Sequence, residues 1–299
     1  MDKKDLQILS NLLNNCRQSD RQIGMKLGMS GGAVRARINK MTKDRVIENY
    51  SLRIEPAVFG YDVIYIVTSG QEIDEIVDQI NLVGESFLIV PCIGGITVCG
   101  IVVRENIDKK IELAKNLLRD ARTISILHAK NFAMKSNITK TDLDIIEILM
   151  KNPRARIDKI ATTTNLSTKT ITRELEKLQD ENVIQFTVIY DPQKIDGHIP
   201  YVLLVSVEQK LKSTLKQLQN RFSEIFMQEP ILSVNQIVLF MHSDDIFKLD
   251  SVIQEIRTIE NVQNVDMFVP KLVKYPQKWI TDIIQNAKKS TTLHLTYQS

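Results

Sequence analysis

Apolar residues near the start of the chain recur at helical spacing. Leu6, Leu9 and Leu13 lie three and four residues apart, and Ile8 and Leu12 widen the same stripe. Such a stripe is typical of a helix with one buried face. The pattern predicts a first helix over residues 5–15.

Capping signals predict a second and a third helix. Ser19 and Gln22 have the spacing of a capping box, so a second helix is predicted to start there and to end near Gly28. Ser30 is a suitable N-cap for a third helix, whose apolar positions are spaced four and three residues apart. The alternating stretch VIENYSLRIEP then predicts a short β ribbon ending at Pro56. Three helices and a ribbon make a winged helix-turn-helix.

The same plan occurs twice along the chain. Residues Asp5–Asn49 return as Asp142–Phe186 at a constant shift of 137 positions, without a gap. Matching pairs include Asp5 with Asp142, Leu6 with Leu143, Ile23 with Ile160, Ser30 with Ser167 and Lys40 with Lys177. A period of this length is a complete folding unit rather than a short solenoid repeat.

Each winged helix is followed by a pattern that predicts the element order β-α-β-β-α-β. In the first copy we predict strands 61–68, 87–92, 96–103 and 123–128 with helices 73–83 and 107–119. In the second copy we predict strands 201–208, 226–234, 237–241 and 262–269 with helices 211–222 and 245–257. This order is the ferredoxin-like plan, so the predicted fold class is α+β. The predicted domains are winged helices at 1–55 and 135–191, ferredoxin-like domains at 56–134 and 192–274, and a C-terminal helix and tail at 275–299.

Composition narrows the class of protein. Of the 299 residues, 43% are hydrophobic and 25% are charged, as in soluble globular proteins. No apolar run reaches the roughly 18 residues of a membrane span, and the first residues lack a secretion signal. Cys16, Cys92 and Cys99 have unrelated spacings that indicate neither a disulfide framework nor a metal site. We therefore expect a cytoplasmic protein that needs no cofactor and no metal.

Positive charge is concentrated in the first winged helix. The whole chain has a net charge of +3, whereas residues 1–55 alone carry 11 basic and 6 acidic side chains. Residues 135–191, the second winged helix, carry nine of each. A polyanion would therefore be attracted to the first copy.

The third helix of the first copy is the predicted DNA-reading element. Arginine suits guanine edges and lysine suits phosphates, and the first residues of such a helix usually reach bases. The predicted contacts are Ser30, Gly31, Gly32, Arg35, Arg37, Asn39, Lys40 and Lys43. This interpretation requires Arg35 and Arg37 to face solvent rather than the chain's own acidic groups. The alternative is a basic face that is only solvated, which is the usual meaning of a charge run.

The third helix of the second copy has the same apolar spacing as that of the first copy but no net positive charge. Its basic residues are offset by Glu174, Glu176, Asp180 and Glu181. Its first turns still offer weaker DNA contacts at Ser167, Thr168, Lys169, Thr172 and Arg173. We expect this helix to contact DNA weakly or to serve an interface.

These features together resemble a known family. The stretches LGMSGGAVRARINKMTKDRVIENYSLRIEPAVFGYD and, more loosely, NLSTKTITRELEKLQDENVIQFTVIYDPQKI resemble the Lrp/AsnC (feast/famine) family of prokaryotic transcription regulators. In that family a winged helix precedes a ferredoxin-like RAM domain, and two chains pair through their RAM sheets. The resemblance implies sequence-specific binding of double-stranded DNA, and the fused duplicate predicts an intrachain pseudo-dimer of the two halves. Homo-oligomers are common in the family but are not implied for this chain, so they stay an open alternative.

The resemblance also implies a small effector, such as an amino acid, near the hairpin between the second and third RAM strands. The candidate effector residues are Gly94, Gly95, Thr97, Thr123 and Ser125. The aspartate that the family commonly has after this glycine is absent from both copies, and the second copy also lacks the glycine. The alternative is that the two glycines only form a turn that needs positive φ.

The last 25 residues lie outside the duplication. Pro276 is well placed to open a helix, with an apolar face formed by Trp279, Ile280, Ile283, Ile284 and Ala287. We predict that this helix docks on the ferredoxin-like domain of its own copy, and the alternative is contact between chains.

Two other functional classes stay open. Siroheme decarboxylases resemble the same plan, but their chemistry needs positioned histidines, and His128, His198, His242 and His294 do not fall at equivalent places in the two copies. The prediction is therefore that the chain is not an enzyme. The other alternative is a protein-interaction module of the transcription machinery, which the nearly neutral second recognition helix supports.

Overall fold

The computed structural model describes residues 1–118, 122–129, 137–233 and 235–289. Within these ranges no helix combines the length and the apolar character that crossing a bilayer requires.

The first winged helix contains the three predicted helices, α1 (Lys3–Asn14), α2 (Asp20–Leu27) and α3 (Gly31–Lys43). Ser19 and Gln22 form the predicted capping box, and Gly28 ends α2 with a left-handed φ of 66°. Ser30 caps α3, because its Oγ accepts a hydrogen bond from the Ala33 backbone N–H at 3.2 Å. The capping signals in the sequence are thus confirmed.

One apolar core holds the three helices together. Ile8, Leu9 and Leu12 of α1 are 0% exposed, and Val34 and Ile38 of α3 are at most 5% exposed. Burying one such aliphatic side chain contributes roughly 1.5–3 kcal/mol, so the stripe read from the sequence is the main source of this domain's stability.

The second winged helix repeats this arrangement with α6 (Lys140–Lys151), α7 (Ile157–Thr164) and α8 (Thr168–Asp180). Asn165 is the equivalent of Gly28 and ends α7 in the same left-handed conformation, with a φ of 56°. Asparagine tolerates this conformation better than most residues. Ser167 caps α8 through the backbone N–H of Thr170.

The ribbons differ from the prediction. Each copy supplies one strand, β1 (Ile47–Ile54) or β6 (Ile184–Tyr190), and these two pair with each other in a two-stranded sheet. The Asp191 N–H donates to the Val46 carbonyl and the Glu55 N–H to the Val183 carbonyl, both at 3.0 Å, so the strands run antiparallel. A ribbon within each copy was the wrong prediction, because each segment supplies only a single strand and finds its partner in the other copy.

The first ferredoxin-like domain has the predicted element order. Its strands are β2 (Asp62–Ser69), β3 (Glu85–Pro91), β4 (Ile96–Val103) and β5 (Arg122–Ala129), and its helices are α4 (Ile73–Asn81) and α5 (Ile107–Leu117). The strand order β3-β4-β2-β5 is that of the split βαβ plan. The core lies between the sheet and these helices, with Ile64, Ile66, Ile76 and Ile80 fully buried.

The second ferredoxin-like domain has the equivalent order β10-β7-β9-β8. Its elements are β7 (Ile199–Val207), α9 (Leu211–Phe222), β8 (Ile231–Ser233), β9 (Gln236–Ser243), α10 (Ile246–Arg257) and β10 (Val262–Phe268). The predicted strand 226–234 is mostly wrong, since β8 has three residues and Phe226 forms only an isolated bridge to Met241. Pro230 explains the break, because it has no N–H to donate to a ladder. Val234 lies outside the described residues.

The chain forms two compact units. One contains residues 1–49, 90–96 and 188–273, and the other contains residues 50–89, 97–187 and 274–299. Each unit therefore joins the winged helix of one copy to the ferredoxin-like domain of the other. In the first unit, the Met1 amino group donates to the Asp196 carbonyl and the Glu229 N–H donates to Asn14 Oδ1. The five sequence-based domain boundaries stay a prediction.

The tail forms α11 (Lys278–Lys289), which begins two residues after Pro276. Trp279 is 4% exposed and packs edge-on against Phe59 and Tyr61, with ring centroids 6.2 and 5.8 Å away. Docking on its own copy was therefore the wrong prediction: α11 binds residues of the first copy, where the aromatic rings lie. Ile280 and Ile284 are also buried, whereas the Ala287 side chain lies outside the described part.

Candidate nucleic-acid interface

Helix α3 presents one face to solvent and one to the core. Its buried residues are Val34, Ile38 and Met41, and its exposed positions include Gly32, Arg35, Asn39, Lys40 and Lys43. Ser30, at its N-cap, is also exposed. The hydrophobic spacing thus determines which predicted contacts face outward.

Lys40 and Lys43 lie in the last two turns of this exposed face. Within the described ranges, neither ammonium forms an ion pair with a carboxylate. An ammonium without an ion pair can neutralise a phosphate and release a cation condensed on the DNA, which favours binding. They are therefore available for a polyanion.

Arg35 is exposed and also oriented. Its side chain is 73% exposed, and its Nε donates to Asp20 Oδ2 at 2.7 Å. An exposed ion pair of this kind contributes little to stability, about 0–1 kcal/mol. The bond uses Nε and leaves the fork of terminal amino groups for a second acceptor, which is the geometry that guanine recognition needs.

Arg37 behaves differently from Arg35. Its Nη1 donates to Asp2 Oδ2 and to Asp5 Oδ1, both at 2.7 Å, and its side chain is only 32% exposed. Hydrogen bonds from the Asp5 backbone and from Arg37 lower the pKa of Asp2 below its usual 3.8, and the same carboxylates raise the pKa of Arg37. The requirement that both arginines face solvent is therefore met only in part: Arg35 is exposed although it pairs with Asp20, and Arg37 is turned to the chain's own carboxylates. Arg37 instead ties α3 to the N-terminus of α1.

In the recognition helix of the second copy, α8, carboxylates lie beside the basic residues, and one lysine binds a buried aspartate. Ser167, Thr168 and Lys169 are exposed, but Arg173 donates from Nη2 to Glu174 Oε1 at 2.9 Å. Lys177 Nζ binds Asp142 Oδ2 at 3.1 Å, and the Asp142 side chain is 0% exposed. Lys177 is thus engaged within the same unit, whereas the side chain of Arg173 is 77% exposed, with a carboxylate beside it.

A one-turn change in the position of the anchoring cation explains the contrast. Asp5 and Asp142 are equivalent positions, and each is bound by a cation of its third helix. In the first copy the cation is Arg37, so Lys40 remains exposed. In the second copy position 37 corresponds to a glutamate, and the equivalent of Lys40, Lys177, takes over. Lys40 is therefore exposed in the first copy, whereas its equivalent Lys177 is bound to Asp142 in the second.

The candidate effector residues are only partly brought together. Gly94 and Gly95 form the hairpin turn between β3 and β4 with φ values of 81° and 71°, as a turn needs. Thr97 is buried on β4, whereas Thr123 and Ser125 lie on β5, and strand β2 separates these strands. None of the five lines the cavity described next, and their role in effector binding stays a prediction.

The structure brings together two histidines that the sequence analysis treated as unrelated. His198 and His242 lie with ring centroids 5.4 Å apart beside a cavity of about 700 Å³ in the first unit. Sheet pairing joins them, since Pro200 on β7 faces His242 on β9. No spacing rule links residues 44 positions apart, so the sequence alone offered no signal. His128 instead lies 2.9 Å from Asp62, and His294 is outside the described residues.

Family comparisons agree with this geometry. Residues 1–42 match the AsnC-type helix-turn-helix domain, and residues 138–185 match a winged helix-turn-helix DNA-binding domain. The chain thus contains two helix-turn-helix domains, the first of AsnC type. It is 36% identical over 98 residues to the HTH-type transcriptional regulator Ptr1 of Methanocaldococcus jannaschii, over 28% of this chain and 66% of that protein. It is 31% identical over 84 residues to LrpA of Pyrococcus horikoshii, over 27% of this chain and 60% of that protein.

The chain thus spans less than two thirds of the length of these two regulators. A solved structure covers almost the whole fold: that of the siroheme decarboxylase NirDL in complex with an iron-uroporphyrin III analogue. It covers 96% of this chain and 100% of NirDL, with a TM-score of 0.51 and 11% identity. At this identity the likeness concerns the tandem architecture.

Proposed function

We propose that the chain is a sequence-specific, double-stranded-DNA-binding regulator of transcription whose main DNA contact is the first winged helix. The observation that carries the proposal is the exposed face of α3, where Arg35 is 73% exposed and Lys40 and Lys43 are exposed without an ion pair in the described part of the chain. Its AsnC-type domain and the names of its relatives support the same function.

The side chains of α3 divide into two roles. Lys40 and Lys43 contact phosphates and set affinity, while Ser30, Arg35 and Asn39 lie on the part of the helix that reaches bases. Gly32 lets the backbone approach DNA closely, because a Cβ there would meet only its own cap serine, at 4.0 Å. Gly31 has a different cause, since a Cβ there would lie 3.3 Å from the Arg21 backbone nitrogen of α2.

The second winged helix has a minor role in this proposal. Ser167, Thr168 and Lys169 offer contacts at the start of α8, and Thr172 and Arg173 follow on the next turn. The nearby carboxylates repel phosphates, so the contribution to affinity is small. Because both binding modules belong to one chain, we propose that a single chain suffices for one DNA site and that a homo-oligomer is not required. An amino acid or similar effector stays a prediction of the family resemblance.

The proposal is tested by fluorescence anisotropy with random genomic duplexes at low salt, followed by selection of bound sequences. We expect the logarithm of the association constant to fall linearly with the logarithm of the salt concentration. We also expect the selection to enrich one sequence motif. If no duplex changes the anisotropy at 50 mM salt, the proposal is contradicted and a protein-interaction module is favoured.

The enzyme alternative has its own readout. The purified chain is mixed with iron-uroporphyrin III, and the absorbance spectrum is recorded. An unchanged spectrum agrees with the regulator, whereas a stoichiometric shift of the absorbance band would favour tetrapyrrole chemistry.

A further inference from the structure

Helices α4 and α9 occupy equivalent places in the two ferredoxin-like domains. Ile76 and Ile80 of α4 are fully buried, and so are Thr214 and Leu218 of α9. These residues match at a shift of 138 positions, one more than in the winged helices. Because the buried positions match, the solvent-facing positions of the two helices match as well.

The charges at these solvent-facing positions have opposite signs in the two copies. At three matched positions, one at the N-cap and two within the helix, the first copy has a carboxylate and the second an ammonium. The pairs are Glu72 with Lys210, Asp74 with Lys212, and Asp78 with Lys216, and all six residues are exposed. Residues 71–84 contain no lysine or arginine, and residues 209–223 contain no aspartate or glutamate. We call the first three residues the acidic face and the other three the basic face.

These charges are largely free of partners. Lys210 lies 3.9 Å from Glu260, which is a weak and exposed ion pair. Among the residues that the structure describes, the other five members of the two faces form no ion pair. Both faces are therefore available to an oppositely charged surface.

The stability of the helices themselves does not explain the two faces. Asp74 and Asp78 are four residues apart, as are Lys212 and Lys216, and like charges at this spacing destabilise a helix. Lys210 and Lys212 also lie at the N-terminus of α9, where the helix dipole favours anions. The basic face thus persists at a local cost, which indicates that it serves a contact.

Charge complementarity indicates which surface each face contacts. The acidic face of one chain fits the basic face of a second copy, whereas α4 against α4 or α9 against α9 would bring like charges together. Leu82, one turn after Asp78, is 68% exposed, so the same contact would also cover an apolar side chain. A contact between two different faces of the same chain is head-to-tail, and it leaves one face of each kind open for a further chain.

We propose that copies of this chain associate head to tail, with the acidic face of α4 in one chain docked on the basic face of α9 in the next. The contact is electrostatic, so salt weakens it. It involves no residue of α3, so it is separate from the proposed DNA contact, and one DNA site still needs only one chain. Association is therefore measured without DNA.

The experiment is sedimentation velocity of the full chain over a range of protein concentrations. At low salt we expect an average mass above that of one chain, which rises with concentration. At about 1 M salt, where the Debye length is only about 3 Å, we expect the mass of a single chain.

Neutral substitutions test each face separately. Asp74→Asn with Asp78→Asn removes charge from the acidic face, and Lys212→Gln with Lys216→Gln removes it from the basic face. Each double variant should weaken association at low salt by about tenfold, since two intermolecular ion pairs are lost. Both changes also remove a like-charge repulsion within a helix, so the helices stay folded.

A mixture of the two double variants gives a sharper result. Each variant retains the face that the other lacks, so an equimolar mixture should form complexes of two chains and no larger ones. The matched control is Asp108→Asn with Glu112→Gln, which removes two exposed carboxylates at the same spacing in α5. It should leave association unchanged.

Four results would overturn the proposal. The first is a natural chain that stays single at low salt at every concentration. The second is a control variant that weakens association as much as the α4 variant does. The third is a mixture that stays single or grows beyond two chains. The fourth is an α9 variant that self-associates normally but binds DNA more weakly, because the basic face would then contact phosphates.

Discussion

The two winged helices contain the same three helices at matched positions but offer different surfaces. In α3 the internal anchor to the first helix is Arg37, and Lys40 stays exposed. In α8 the anchor is Lys177, the equivalent of Lys40, and its ammonium binds buried Asp142. Net charge alone would suggest a simple loss of basic residues in the second copy. The ion pairs show instead that the position of one anchoring cation decides whether the next basic residue is available to a partner.

A second difference between the copies concerns the site beside the first helix. In one unit α11 covers it with Trp279, and in the other His198 and His242 line a cavity. The two copies share the same helices and strands, because these elements depend on buried apolar positions at matched spacing. The exposed and half-buried positions then diverged, and they carry the functional difference.

The largest effect is expected from Trp279→Ala. Removing this buried ring should lower the free energy of unfolding by about 3–5 kcal/mol, because it leaves a cavity against Phe59 and Tyr61. Urea unfolding measures the loss. Gln285 is exposed in the same helix, so Gln285→Ala should change the free energy of unfolding by less than about 0.5 kcal/mol. A small loss for Trp279→Ala would mean that α11 does not occupy this site.

The histidine cavity should make stability depend on pH. His242 is buried, and its pKa falls from 6.5 to about 4, with His198 and Lys3 acting in the same direction and Asp244 opposing them. Between these values the unfolded chain binds more protons than the folded chain. Acidification from pH 6.5 to pH 4 should therefore cost up to about 3 kcal/mol.

The test compares urea unfolding at pH 6.5 and pH 4 for the natural chain and for His242→Gln. The free energy of unfolding should fall less on acidification in His242→Gln than in the natural chain. His128→Gln, whose histidine lies against Asp62 in the other unit, should retain the full pH-dependent loss. Equal pH dependence in the natural chain and in His242→Gln would contradict the assignment.

Arg35→Ala should weaken specific DNA binding by about 1–3 kcal/mol and relax one base position of the site. The reason is that its guanidinium fork is exposed and oriented by Asp20. Thr172→Ala changes the equivalent position of α8 and should cost less than about 0.5 kcal/mol. Competition binding with single-base variants of the selected motif separates lost specificity from lost affinity. Uniform weakening on all sequences would make Arg35 a phosphate contact.

The smallest effect is expected from Lys40→Ala. It should weaken all sequences alike and reduce the salt slope by about one, as loss of one phosphate contact does. Lys177→Ala, the equivalent change, should leave the slope unchanged but lower stability, because it removes the partner of buried Asp142. Titrations at four salt concentrations measure the slopes. An unchanged slope for Lys40→Ala would remove this lysine from the interface.

Much of the fold could be predicted from the sequence, because it depends on local signals. The capping box at Ser19, the turn at Gly28 and the cap at Ser30 act within a few residues. The partnership of β1 with β6 and the docking of α11 on the first copy depend on residues more than 100 positions apart. Periodicity carries no information on such choices.

The same limit applies to the candidate site. Helical spacing correctly placed Arg35, Lys40 and Lys43 on an exposed face. It could not show that Arg37 binds Asp2 and Asp5, because that pairing depends on how α1 packs against α3. A list of basic residues therefore overestimates the charge that a recognition helix offers.

The most direct test of the contrast between the copies is a pair of charge reversals, each measured by anisotropy on the same duplex at 50 mM salt. The account predicts that Arg35→Glu with Lys40→Glu weakens binding by roughly a hundredfold or more, because two charges on the face that meets DNA change sign. Lys169→Glu with Arg173→Glu should weaken it by less than about fivefold, since the carboxylates of α8 already repel phosphates and make this helix a minor contact. Equal losses for the two pairs would contradict the account.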